Sequence, residues 1–189
     1  MKTYLKQQAL PITLVSLMAL TRVHHFGSAF LLPDASLAVF FLAGMWFNRS
    51  AFLGLLLIEA GVVDYLAINQ FGVSDWCMSP AYVGLIPTYA ALWLIGGYCT
   101  KYNALSRSEI MFSMTGAVFA ISAAFVISNG TFFLFSGRYN DLSWLDYATR
   151  VAQYYPAYVL TSMIYVALGL AIAKVIKLLP SAFAQHQEV

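Results

Sequence analysis

The residues of this chain able to do chemistry are few. Cys77 sits in the polar and aromatic stretch Ser74-Asp75-Trp76-Cys77-Met78-Ser79-Pro80. A thiolate is a soft metal ligand, and an exposed lone thiol is open to oxidation unless something occupies it. From residue type alone, a ligating thiol and a plain loop thiol stand equal. Glu59 and Asp64 lie inside an apolar run. A carboxylate within a membrane costs several kcal/mol, which makes each a functional candidate. Five residues separate them, about 140° around a helix, so they do not share a face as a catalytic pair would. His24 and His25 are adjacent and would point about 100° apart on a helix, so one centre cannot easily use both. Cys99 is best read as a small apolar filler. Some twenty helical residues put it roughly 30 Å from Cys77, too far for a disulfide.

The elements that must position these residues follow from composition. Of 189 residues, 61% are apolar and 10% charged, with a net charge of +2. A soluble domain has about half apolar and about a quarter charged residues, and a disordered chain has fewer apolar residues still. About 115 apolar residues, at roughly 20 per span, supply five or six membrane helices. The apolar runs are Ala9 to Val23, Ala35 to Phe47, Ala51 to Ile68, Pro80 to Thr100, Glu109 to Ser128 and Tyr155 to Ile176. The second is short and must tilt, begin further upstream or line a cavity. The first starts at Lys2 and Lys6 like a signal peptide, but no small-residue cleavage pattern follows, so it reads as a retained helix. The expectation is an all-α integral membrane protein, one transmembrane domain over 1–189 with six helices.

Cations favour the cytoplasmic side of short loops. With the N-terminus inside, Lys2, Lys6, Arg49, Lys101, Arg107, Lys174 and Lys177 lie inside, and Arg22, Arg138 and Arg150 outside. Both termini are therefore expected in the cytoplasm. The outer side then collects Asp34, Asp75, Asp141, Asp146, the histidines and a long connection from Asn129 to Tyr154 rich in aromatic residues. A structureless connection of that length reads either as a lid over a site or as an aromatic belt at the membrane surface.

Several function classes drop out. The small net charge gives no nucleic-acid footprint, and no Gly-x-x-x-x-Gly-Lys-Ser/Thr loop is present to bind a nucleotide. Gly27-Ser28-Ala29 lacks the glycine after the serine that an intramembrane serine protease would show, and no later span carries a histidine.

Six short spans combine with Arg22-Val23-His24-His25-Phe26-Gly27 after the first, Leu32-Pro33-Asp34-Ala35-Ser36 before the second, and the Trp76-Cys77 loop before the fourth. In these features, over essentially its whole length, the chain resembles the BtuM family. These are solitary cobalamin-specific S-components related to energy-coupling-factor transporters. The resemblance implies a bacterial inner-membrane protein, of a Gram-negative cell, that takes up cobalamin (vitamin B12) from the periplasmic side. It further implies that Cys77 is an axial ligand to the corrin cobalt, and that Asp64, Tyr82, Arg150 and, as a weaker match, His25 complete the substrate site.

Chemistry fits those types. A thiolate must form before it ligates, so a nearby cation such as Arg150 is expected to depress the Cys77 pKa, unless Arg150 instead binds the ligand's phosphate. Asp64 can accept from a corrin amide, and the Tyr82 hydroxyl can donate or accept. Trp76, Phe26, Tyr154 and Tyr155 are candidate walls for the corrin face. Ligation of cyanocobalamin by Cys77 would displace cyanide, so decyanation is an expected extension. The first helix has no clean Ala-x-x-x-Ala spacing, only Ala9 with Thr13 and Leu17 and Ser16 with Leu20, which fits a protein without a dedicated energising module. Two other functions remain open: a membrane thiol, haem or quinone redox protein using Cys77 and the histidines, and an S-component for a different vitamin.

Overall fold

The computed structural model describes the backbone of residues 2–23, 32–47, 49–100 and 106–185, and the side chains of 10–23, 32–47, 49–100 and 106–175. Helices α1 (Lys2–Arg22), α2 (Ser36–Phe47) and α3 (Ser50–Phe71) are followed by a 3-10 turn, Pro80–Gly84, that runs directly into α4 (Leu85–Cys99). Then come α5 (Arg107–Phe135), α6 (Trp144–Ala152) and α7 (Tyr155–Gln185). Each expected apolar run lies within a helix to within one residue at its ends, the fourth joining the 3-10 turn to α4, and no strand occurs among the described residues.

Four helical stretches are long and apolar enough to cross a membrane: Ser50–Phe71, Pro80–Cys99, Arg107–Phe135 and Tyr155–Val175. Leu10–Arg22 and Ser36–Phe47 are shorter apolar helices. The shortness of α2 has a packing explanation, because Ala38, Val39, Phe40, Phe41, Leu42, Ala43 and Met45 are all at most 3% exposed. A helix apolar all round is stable when it is enclosed all round. Here α1, α3, α4 and α7 enclose it.

Glycine sets the tightest seam. A Cβ on Gly44 would overlap the Trp93 backbone carbonyl, and one on Gly96 would overlap that of Phe41. The two backbones of α2 and α4 therefore meet as small residues allow in membrane helices. Phe40 and Tyr89 stack beside this seam, centroids 4.1 Å apart and 5° from parallel. Around the outside, α3, α5 and α7 leave Leu55, Ile58, Val62, Phe119, Val126, Leu160, Ile164 and Leu168 exposed. Apolar faces of that extent mark a membrane or partner surface rather than contact with water.

The connection expected to be structureless between Asn129 and Tyr154 is mostly helical. Helix α5 continues to Phe135, and Ser143 starts α6 by accepting from the Asp146 amide at 3.2 Å. Ring contacts join the last turns of α5 to the first turn of α6. Phe133 lies 4.2 Å from Trp144 and 4.7 Å from Tyr147, and Tyr139 lies 4.9 Å from Tyr147. A short segment of residues 136–143 remains between the two helices, opened by Gly137 at φ 68°.

Candidate functional site

Two polar assemblies share the end of the bundle where α1 finishes and α4 begins. The first is centred on Arg22, in the last turn of α1, where the helix dipole favours a cation. Its Nε donates to Asp64 Oδ1 and its Nη2 to Asp64 Oδ2, both at 2.7 Å. Its Nη1 donates to the hydroxyls of Ser36 at 2.9 Å and Tyr89 at 2.6 Å. Asp34 Oδ2 lies 3.7 Å from the same Nη1, and its Oδ1 accepts from the Ser36 hydroxyl at 2.6 Å. Arg22 is 3% and Asp64 5% exposed. Two buried charges are tolerable only when paired and hydrogen-bonded, and the planar fork of arginine meets both carboxylate oxygens at once. One guanidinium thus ties α1, the start of α2, α3 and α4 together.

The second assembly borders the first through Asp64. The Tyr82 hydroxyl, on the 3-10 turn, donates to Asp64 Oδ2 at 2.7 Å. Asp64, Tyr82 and Cys77 then line one cavity of about 20 Å³ with Ala67, Ile68 and Met78. That volume holds a single water. Gly72, at φ 65°, caps α3 and turns the chain into the segment carrying Cys77. Glycine takes this left-handed backbone without the Cβ strain that most side chains would bring.

The structure brings Cys77, Asp64 and Tyr82 together and leaves Arg150 elsewhere. Arg150 is exposed on α6, its guanidinium 5.9 Å from the Tyr139 ring. The cation beside the cysteine segment is Arg138, 3.9 Å over the ring of Trp76. The Cys77 pKa is raised rather than depressed: burial pushes it up, Asp64 adds to this, and Arg138 opposes it. His24, His25 and Phe26 lie outside the described residues. Trp76 is half exposed, Tyr154 is exposed, and Tyr155 shares a 2.7 Å hydrogen bond with Ser122. Tyr147 on α6 is buried, and burial, aided by Tyr139, raises its phenol to about 12. Cys77 and Cys99 are both free thiols.

Sequence reasoning missed Arg22 and Arg138. A signal for Arg22 existed, since a carboxylate within an apolar helix calls for a cation. Only three arginines were assigned to that side, and Arg22 ends an apolar run. For Arg138 no local signal exists, because its place over Trp76 depends on how the 136–143 segment is folded back. No family model matches the chain, and no curated protein matches it. Fold and site define a helical protein of membrane type, with a thiol, a carboxylate and a phenol in one small cavity near one end.

Proposed function

We propose that this protein binds cobalamin and carries it across the bacterial inner membrane, with the Cys77 thiolate as an axial ligand to the corrin cobalt. The observation that carries the proposal is the shared cavity of Cys77, Asp64 and Tyr82, three residues brought together from separate elements. Thiolate is a soft donor suited to such a metal, and one protein ligand suffices because the corrin brings four nitrogens of its own. In this reading α1 and α2 act as two shorter spans beside the four long ones. The charge asymmetry of the loops puts both termini in the cytoplasm and Cys77 toward the periplasm.

A corrin is far larger than a one-water cavity, so binding requires residues 73–79 to move away from Asp64 and Tyr82. Asp64 enters with both oxygens engaged by Arg22 and one also by Tyr82. Its capacity for a corrin amide is then one remaining lone-pair site on Oδ1, while Tyr82 can still accept. With cyanocobalamin, the thiolate replaces cyanide on cobalt(III). Cyanide leaves as the anion, the thiol proton passes to water, and the oxidation state of cobalt is unchanged.

The test is to purify the protein from cells supplied with cobalamin and record the visible spectrum of wild type, Cys77→Ser and Cys77→Ala. A corrin spectrum that shifts in both variants, with loss of cyanide release, is expected. A haem Soret band, or no chromophore, sinks the proposal.

A further inference from the structure

Glu59 lies in α3 about a turn and a half from Asp64, and its environment is unlike that of Asp64. Both of its carboxyl oxygens are inaccessible and lack a hydrogen-bond partner, although the residue itself is only partly covered. The stem is what remains visible from outside, and the acid head is tucked toward α1, where Ala19 and Arg22 are its neighbours.

Among the described side chains of α1, Arg22 is the charged group that reaches Glu59, and it is already committed. Its Nε, Nη1 and Nη2 serve Asp64, Ser36 and Tyr89. Of the elements packed against α3, the start of α2 contributes Asp34 and α4 contributes Tyr89, and both engage that same guanidinium. Tyr82 on the 3-10 turn is bonded to Asp64. One positive charge thus faces two carboxylates before Glu59 is counted. An ionised Glu59 would add a further negative charge on oxygens that are closed to solvent and make no hydrogen bond, which a low-dielectric helix seam does not accommodate. The neutral acid requires no counter-charge and has a proton to carry.

We infer that Glu59 is a proton-binding site at the α1–α3 seam, occupied in this conformation, whose proton can leave only when α1 moves off α3 and admits water. Proton uptake at Glu59 and closure of that seam are then one event. The inference goes beyond cobalamin binding and holds whatever ligand Cys77 takes.

The experiment uses the full chain in lipid vesicles, comparing wild type with Glu59→Gln and with Glu59→Leu, the second in case the amide is itself poorly accommodated. Infrared spectra at pH 7 should show, in wild type only, a carbonyl stretch of a protonated carboxylic acid. The unfolding equilibrium supplies an independent readout. A carboxyl neutral in the folded chain and ionised above ~4.3 in the unfolded chain stabilises least at high pH, so stability is lost as pH rises. Wild type should unfold more readily with rising pH, by up to about tenfold per pH unit relative to the variants. Infrared spectra that coincide in the carboxylic-acid region for all three proteins overturn the inference, as does an identical pH dependence of unfolding. Neither readout involves cobalamin, so this inference and the cobalamin reading can fail separately.

Discussion

Arg22 and Asp64, 42 residues apart in the chain, face each other through two parallel hydrogen bonds of 2.7 Å each in a nearly water-free position. The pair closes α1 onto α3, and through Tyr82 it also fixes one wall of the cavity that contains Cys77. Asp64 therefore does two things at once. It holds the bundle end together and presents to the cavity a carboxylate with a single lone-pair site left, on Oδ1.

Breaking that pair from one side leaves an uncompensated buried charge. Arg22→Met or Asp64→Asn alone should cost about 3–5 kcal/mol in a reversible detergent-unfolding measurement, and the double variant should recover much of the loss. Equal, additive losses in the double variant would show that the two side chains act independently.

The state of Cys77 should follow its surroundings. Because burial and Asp64 raise its pKa, alkylation of the thiol should climb about tenfold per pH unit through and beyond the ordinary cysteine value, without levelling at it. Arg138 opposes the rise, so Arg138→Gln should slow alkylation at pH 7, whereas Arg150→Gln should leave it unchanged. Alkylation rates measured across pH in a Cys99→Ala background decide this.

The same proton governs the proposed ligation. A thiol that must ionise to bind cobalt releases one proton on binding, so cobalamin affinity through Cys77 should strengthen about tenfold per pH unit below the thiol pKa. Spectral titrations at three pH values check the slope. A pH-independent affinity would remove Cys77 from the cobalt.

The α2–α4 seam should be intolerant of any side chain at its two glycines. Gly44→Ala and Gly96→Ala each place a methyl group against backbone of the facing helix, which cannot swing aside as a side chain can. Overpacking of this kind costs about 1–3 kcal/mol or more. Gly61→Ala, where nothing lies within 4 Å, should be neutral or stabilising in the same unfolding assay, because alanine is the better helix former.

Much of this was legible in the sequence because it is local. An unbroken apolar run satisfies its own backbone only as a helix, so all six runs became helices wherever they are described. The run expected from Glu109 to Ser128 lies inside α5, whose start the structure secures with a capping box of Ser106 and Glu109. The 136–152 region was misjudged for the opposite reason. Ser143 and Asp146 do carry a local start signal for α6, but Tyr139 and Tyr147 are set against rings of α5 and against each other, and that contact is not written in the spacing of the segment.

By itself, the sequence determined the class of the protein, the places of its six apolar helices and the isolation of Cys77 in a polar loop. These rest on hydrophobicity summed over neighbours along the chain. Tertiary structure alone decided which cation answers Asp64, that Arg138 and not Arg150 stands beside the Cys77 segment, and that Glu59 is left without a donor. Those outcomes depend on which side chains from distant helices meet where water is excluded. There a single hydrogen bond gained or missed outweighs any local preference.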